Sequence, residues 1–319
     1  MVEVVRRKRK SPILTPSSIP CLNSLPTINI TQGCALGCTY CYIQGYAKYP
    51  GPDQVILFEN TAELVKDELS RKRRLPSRVY FSPSSDAFQY LPEVQEVAAA
   101  TMAVLLDAGV EISFLTKGFI SERFLRLFET APQLVFAQIG ITTLDASFWK
   151  QVEPRTAPPH KRIEYARALV DRGVATTARL DPLFPDVSDT DESLIPLLES
   201  LRDAGVRQAA ASYLFLRPNC SKTMMGQADT LDFLPDTRAS WQYQRFDSGC
   251  GGGRMIADDD RSRRFAHLVV LGQEFGISIA PCRCKNPTLA STVCGIAGPS
   301  ASSGPNVETQ PVFDFADKR

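Results

Sequence analysis

A chain of 319 residues, 44% hydrophobic and 22% charged, can bury one large core or a core with a small appendage. Its formal net charge of +1 weighs against a dedicated duplex-binding surface, which would carry a strong basic excess, but leaves room for a local basic groove. No run reaches the ~18 apolar residues of a membrane span, and the basic start passes into Ser, Pro and Asn rather than an apolar leader, so a cytoplasmic protein with no membrane partner is expected.

Residues 1–26 carry the basic cluster Arg6-Arg-Lys-Arg-Lys10, then Pro and Ser with no sustained period, and read as an arm or lead-in. Thr27–Ile30 reads as a short strand running into a cysteine loop. A helix follows over about Thr61–Lys72, then a strand at Arg78–Phe81, a helix at Glu93–Leu106 and a strand at Val110–Thr116 that ends at Lys117. The same alternation continues with helix Ser121–Phe128, strand Leu134–Ile141, helix Lys161–Arg172, strand Thr176–Leu180, helix Ser193–Ala204 and strand Gln208–Leu214. Helices of about 10 to 15 residues between short apolar strands mark parallel βα units. Glycines 109, 173 and 205 punctuate the helix ends, where a left-handed C′ residue is needed. Six such units predict an α/β fold, a partial (β/α)6 TIM-type barrel over 27–215, with its chemistry on the loops after the strands. Beyond it, 216–296 reads as a small cysteine-containing lobe with an amphipathic helix at about Arg261–Phe275. The Ser-, Gly- and Pro-rich tail 297–319 has no periodic core and reads as disordered.

Nine cysteines in a chain without an export signal point to metal or catalysis rather than disulfides. Cys34-Ala-Leu-Gly-Cys38-Thr-Tyr-Cys41 has the spacing C-x3-C-x2-C. Three thiolates in such a glycine-containing loop can converge on three irons of one [4Fe–4S] cubane and leave the fourth iron open, as substrate-level chemistry requires. A structural zinc knuckle is the alternative. It wants four ligands, and no fourth Cys or His is near in sequence. His is scarce (His160 and His267), and no Ser/His/Asp set, HExxH or GxxxxGK[ST] motif occurs, which removes support from hydrolase and triphosphatase readings.

The cysteine motif, with Tyr40 before its last Cys, resembles the signature of the radical S-adenosylmethionine (SAM) superfamily. Within it, Cys41-Tyr-Ile-Gln44, Ser82-Pro-Ser-Ser-Asp86, Phe114-Leu-Thr-Lys117 and Glu153-Pro-Arg-Thr156 resemble segments of the spore photoproduct lyase family over roughly residues 27–215. The resemblance implies a [4Fe–4S] cluster on Cys34, Cys38 and Cys41, SAM as cofactor, a 5′-deoxyadenosyl radical, and a one-electron donor such as flavodoxin or ferredoxin. It places Tyr40 near the adenine and Lys117 against SAM.

Ser85 and Asp86, just beyond a strand, are candidates for the methionyl or ribose part of SAM, or else cap the next turn. Lys117 at its strand end is a candidate partner for the SAM carboxylate, or is merely solvated. Thr142 and Thr143 end the fourth strand on the cofactor edge, with helix capping as the alternative and Asp145 as competitor for it. Arg179 is a candidate carboxylate partner, or pairs with Asp181. One departure from the family stands out. The lyases carry a hydrogen-donating Cys two residues before the Ser aligned with Ser85, and here that place is Pro83. Cys220 is the candidate replacement donor.

Cys250, Cys282, Cys284 and Cys294, with glycines at 251–253, form a candidate second set for an auxiliary Fe–S cluster or zinc. Ordinary thiols are the alternative. A small-molecule or nucleoside-type substrate is favoured by the near-neutral charge and the missing donor. A DNA or RNA lesion lyase with another hydrogen donor is the second reading, and for nucleic acid Arg6–Lys10 and Arg71-Lys-Arg-Arg74 are the candidate phosphate contacts. A non-catalytic Fe–S or zinc protein is the third.

Overall fold

The computed structural model describes residues 2–10, 12–17, 22, 25–218, 243–247, 252–283, 285–286 and 289. The strands are β1 (Glu3–Arg7), β2 (Thr15–Pro16), β3 (Pro26–Ile28), β4 (Thr31–Gln32), β5 (Gln54–Phe58), β6 (Arg78–Phe81), β7 (Glu111–Thr116), β8 (Val135–Gly140), β9 (Ala175–Leu183), β10 (Gln208–Tyr213), β11 (Tyr243–Asp247), β12 (Gly252–Ile256) and β13 (Ser278–Pro281). The α-helices are α1 (Thr61–Arg71), α2 (Pro92–Asp107), α3 (Glu122–Glu129), α4 (Ala146–Val152), α5 (Pro159–Asp171), α6 (Asp191–Asp203) and α7 (Asp258–Glu274).

The eight-stranded main sheet runs β13-β10-β9-β8-β7-β6-β3-β2. Every neighbouring pair in it is parallel except β2 with β3. The six expected strands are β3 and β6 to β10, in sequence order across the sheet, as parallel βα units require. Apolar residues on the helix-facing side of these strands join α2 and α3 in one continuous core. In it Phe88 packs on Phe114 and Phe124 at 4.6 Å, and Phe114 stacks on Phe128 at 5.5 Å. Gly109 and Gly205 sit at φ +70° and +80° at the ends of α2 and α6, the conformation the punctuation predicted.

Three features extend the sequence reading. The basic arm contains β1, which pairs in parallel with β5, an element the sequence reading left out. The sheet crosses the boundary set at residue 215, because β13 pairs with β10 from Gln208↔Ser278 to Ala211↔Pro281, a seventh parallel strand delivered by α7. The short helix α4 follows β8, and its N-cap is Asp145, whose carboxylate accepts from the amides of Ser147 and Phe148 at 2.7 and 3.0 Å. Among the described residues no helix is long and apolar enough to cross a membrane. The expectations placed on Cys220, Cys250, Cys284, Cys294 and the tail 297–319 lie outside the described residues.

Candidate active site

The cysteine loop follows β4, which comes just after β3 in the chain and pairs with β5 in a separate three-stranded sheet, and it is held from three sides. Gln89, fully buried, accepts from the Ala35 amide at 2.7 Å and donates to Thr31 Oγ1 and the Asp86 carbonyl at 3.0 and 2.8 Å. The Thr39 amide donates to the Val152 carbonyl of α4 at 3.0 Å, and Gln44 Nε2 donates to the Cys38 carbonyl at 3.1 Å. Gly37 takes φ +65° at the bend, with the Arg155 guanidinium lying over it.

Cys34, Cys38 and Cys41 are half-buried thiols outside any disulfide, on the wall of one cavity of about 550 Å³. Burial pushes the Cys34 thiol well up, with Asp86 adding to it, and pushes Cys38 up with Glu153 adding to it. Thiols in that state need a positive centre beside them to become thiolates, which a metal group supplies. Three thiols are a donor set that could hold a cubane by three of its corners. The thiols border one cavity from three points of the loop, and no fourth Cys and no His is among the lining residues. Among the described residues no group of three or more His, Cys, Asp or Glu is placed to hold a metal ion.

The strand-end residues form the rest of the wall. Ser82, at φ +53°, and Ser85 line the cavity, and their hydroxyls are buried without a hydrogen-bond partner among the described residues. Asp86 is turned to structural use: it accepts from Thr116 Oγ1 at 2.9 Å and from the amides of Lys117 and Phe88 at 2.9 and 2.7 Å, tying the β6 loop to the end of β7. Burial holds its carboxyl above the ordinary value.

Lys117 is the centre of a buried ionic network. Its ammonium donates to Tyr40 Oη and the Asp181 carbonyl at 2.6 Å, to Glu153 Oε1 at 2.8 Å, and lies 3.3 Å from Thr142 Oγ1. Glu153 Oε1 also accepts from Thr142 at 2.7 Å and from the Tyr40 hydroxyl, while its Oε2 accepts from Arg162 at 2.5 Å. Burial pushes the Glu153 carboxyl up, but Arg162 and Lys117 together hold it far below the usual carboxylate range. Burial, with Glu153 beside it, raises the Tyr40 phenol, which stays protonated as a donor. Gly140 leaves the space the lysine stem occupies, since a Cβ there would meet Lys117 Cγ at 2.7 Å.

At the far edge, Arg179 donates to Asp181 Oδ2 at 3.1 Å and to Cys282 Sγ at 3.0 Å, and Lys285 reaches Asp181 Oδ1 at 3.0 Å. Burial raises the Asp181 carboxyl, but Lys285 and then Arg179 bring it below its ordinary value. Cys282, expected in a second metal set, is buried just after β13, and its amide donates to the Ala211 carbonyl at 2.7 Å.

Of the residues singled out from sequence, the three cysteines, Tyr40, Ser85, Asp86, Lys117 and Arg179 all line this cavity. Thr142 and Thr143 do not: Thr142 stands behind Lys117 on Glu153, and Thr143 accepts from the Asp145 amide at 3.0 Å at the start of α4. Glu153, Arg162, Gln89 and Lys285 carry structure here and had no role in the sequence reading. For Glu153 the only signal was its place in the Glu153-Pro-Arg-Thr156 segment.

The sequence profile of the Radical SAM superfamily matches residues 28–207. An uncharacterized protein of Methanocaldococcus jannaschii is 27% identical over 198 residues, 60% of this chain and 71% of that one. An uncharacterized protein of Mycobacterium tuberculosis is 27% identical over 213 residues, and the match covers 63% of each chain. Among solved structures, a spore photoproduct lyase mutant with bound AdoMet and dinucleoside spore photoproduct superposes with a TM-score of 0.67 at 14% identity, covering 86% of this chain and 81% of that one. Streptococcus suis SuiB bound to S-adenosylmethionine gives a TM-score of 0.52 at 11% identity, covering 81% and 50%. At those identities the likeness is one of fold.

Proposed function

The chain belongs to the Radical SAM superfamily, and on that premise we propose that Cys34, Cys38 and Cys41 hold a [4Fe–4S] cluster with SAM at its open iron. When bound, that pair supplies reductive cleavage of SAM to methionine and a 5′-deoxyadenosyl radical, which takes a hydrogen atom from a small-molecule or nucleoside-type substrate. The observation that carries this reading is the meeting of all three motif thiols on one cavity at the carboxyl edge of a parallel sheet.

The chain's own residues bind and orient. Ser82 and Ser85 offer unpartnered hydroxyls to the polar part of the cofactor, and Tyr40 gives a ring on the cavity wall for its adenosyl part. Arg179 is the candidate for a carboxylate of SAM or of the substrate. Lys117 already has close oxygen partners in Tyr40, Glu153 and Asp181, so we assign it to positioning Tyr40 rather than to the SAM carboxylate. Leu22, Tyr80, Leu115 and Phe215 supply apolar wall that excludes water from the reacting centre. A one-electron donor of flavodoxin or ferredoxin type completes the cycle. The auxiliary cluster or zinc on Cys250, Cys282, Cys284 and Cys294, and the hydrogen-donor role of Cys220, stay part of the proposal.

Anaerobic reconstitution followed by dithionite and SAM tests it. About four irons per chain and release of 5′-deoxyadenosine are expected, with about eight irons if the second cysteine set holds a cluster. Cys34→Ala should abolish release, and retained 5′-deoxyadenosine in that variant would refute the ligand assignment.

A further inference from the structure

A second hollow lies on the cysteine loop, outside the cavity given to SAM and substrate. It measures about 210 Å³, and its lining includes Arg9, Gly33, Tyr46, Lys48, Tyr49 and Phe58. Ile43, Tyr46 and Tyr49 border both this hollow and the main cavity, so they stand between the two. Tyr49 is close to the motif: burial raises its phenol, and the Cys41 and Cys34 thiols add to that. Gly33 directly precedes Cys34 and brings backbone without a side chain to the hollow. Tyr46 is 38% exposed and Lys48 is exposed, so the hollow meets solvent on their side.

The charge around this hollow is unbalanced. Among the described residues two cations line it and no carboxylate does. Arg9 is half-buried, its guanidinium 3.8 Å over the Phe58 ring and donating to the Asn29 carbonyl at 3.1 Å. No carboxylate among the described residues pairs with Arg9 or with Lys48. Asp53, an acid whose charge reaches Tyr49, is itself matched by Arg155 at 3.7 Å. A cation held partly out of water without a counter-ion costs free energy, and an arriving anion removes that cost. Apolar walls with a cationic rim suit a partner whose contact surface is apolar at its centre and acidic around it. The proposed chemistry consumes an electron, and SAM and substrate fill the main cavity, so the electron has to enter from another side. We infer that an acidic one-electron donor protein docks on Arg9, Tyr46, Lys48 and Tyr49 and passes its electron inward across that partition. One electron leaves the reduced donor and enters the proposed cluster, and no atom moves with it. The inference rests on the radical SAM reading for the electron's destination, but not for the docking itself.

Full-length reconstituted protein, not reduced, is titrated into fluorescently labelled flavodoxin and into a labelled [2Fe–2S] ferredoxin, and binding is read as anisotropy. At least one of the two should bind the wild type, with an affinity that falls as salt rises. Lys48→Glu should weaken that binding by about tenfold or more, and Arg9→Gln should weaken it to a smaller degree. K48E alters an exposed side chain, so it serves the test if R9Q does not fold. Reduction by the pre-reduced donor, followed as loss of visible absorbance, should slow in K48E by a similar factor. Dithionite, a small reductant that needs no docking surface, should reduce K48E and the wild type alike. The inference is overturned if neither donor binds the wild type, or if K48E binds the donor and accepts its electron as the wild type does. It is equally overturned if K48E loses a labelled oligonucleotide but keeps the donor, the behaviour of a phosphate contact. Absence of 5′-deoxyadenosine with dithionite and SAM would instead reject the family chemistry and leave the binding result standing.

Discussion

Lys117, at the end of β7, and Glu153, in the turn after α4, meet at 2.8 Å in a site where the carboxylate is 1% exposed. That ion pair joins the cysteine loop to the barrel. Tyr40, between the last two motif cysteines, bonds to both partners, and α4 also receives the Thr39 amide through Val152. Arg162 closes the network from α5, donating to Glu153, to the Gly140 carbonyl at 2.6 Å and to the Ala157 carbonyl at 2.8 Å. The loop's position is thus set by charges buried on two later βα units.

Replacing Glu153 with Gln removes the one anion between two buried cations. Breaking a buried pair in this way costs about 3–5 kcal/mol, because the remaining charges stay desolvated and uncompensated. E153Q should show a lower denaturation midpoint and retain less iron after reconstitution, as Tyr40 loses its anchor. A variant as stable as the wild type with full iron would show that the network does not position the loop.

The same pair predicts an acid limb. Glu153 is held below its unbound value near 4.5 by Arg162 and Lys117 against burial, and Asp181 is held below 3.8 by Lys285 and Arg179. A depressed folded pKa means a stabilisation that is complete above the unfolded value and is lost as the pH falls toward the folded one. Asp86 works the other way, since burial raises its carboxyl. Midpoints measured between about pH 3 and about pH 6 should fall steadily on acidification in the wild type and fall less in E153Q. Parallel curves for the two proteins would exclude Glu153 as a source of the slope.

The barrel strands were readable as short, mostly apolar runs, three of which follow a helix-ending glycine: Gly109 before β7, Gly173 before β9 and Gly205 before β10. Strands β1, β5 and β13 were not. β1 is a Val-Val pair inside a basic cluster, β5 a short apolar run between Gly/Pro and Asn, and β13 only four residues long. The cysteine loop was readable because its thiols lie within one turn of sequence. Glu153 was not: its partners Lys117 and Tyr40 are 36 and 113 residues away, and only folding distinguishes it from a surface glutamate. Thr142 was placed at the right strand end, but which face of that end meets the cavity is decided by the lysine stem over Gly140.

Gln89 gives a test of the loop that touches no thiol. Its amide satisfies the Ala35 amide next to Cys34 and ties that point to Thr31 and Asp86. Gln89→Ala strands a buried backbone donor and opens a small void, a loss of about 2–3 kcal/mol. Hydrogen exchange at Ala35 should accelerate in Q89A, and reconstituted iron should fall. Unchanged exchange at Ala35 would mean the loop is held without this contact.

Gly37 separates two contributions in one position. Its φ of +65° costs an alanine about 1–2 kcal/mol whatever the surroundings. A Cβ there would also come within 2.5 Å of Arg155 Nη2 and 2.8 Å of its Nε, atoms of a partly exposed side chain that can swing away at the loss of its bond to the Pro52 carbonyl. Gly37→Ala should therefore lower the iron bound after reconstitution and the absorbance of the proposed cluster. Adding Arg155→Ala to G37A removes the clash but not the backbone strain, so the double variant should recover only part of the loss. Complete recovery would assign the whole effect to the arginine, and no loss in G37A would show that the bend tolerates a side chain.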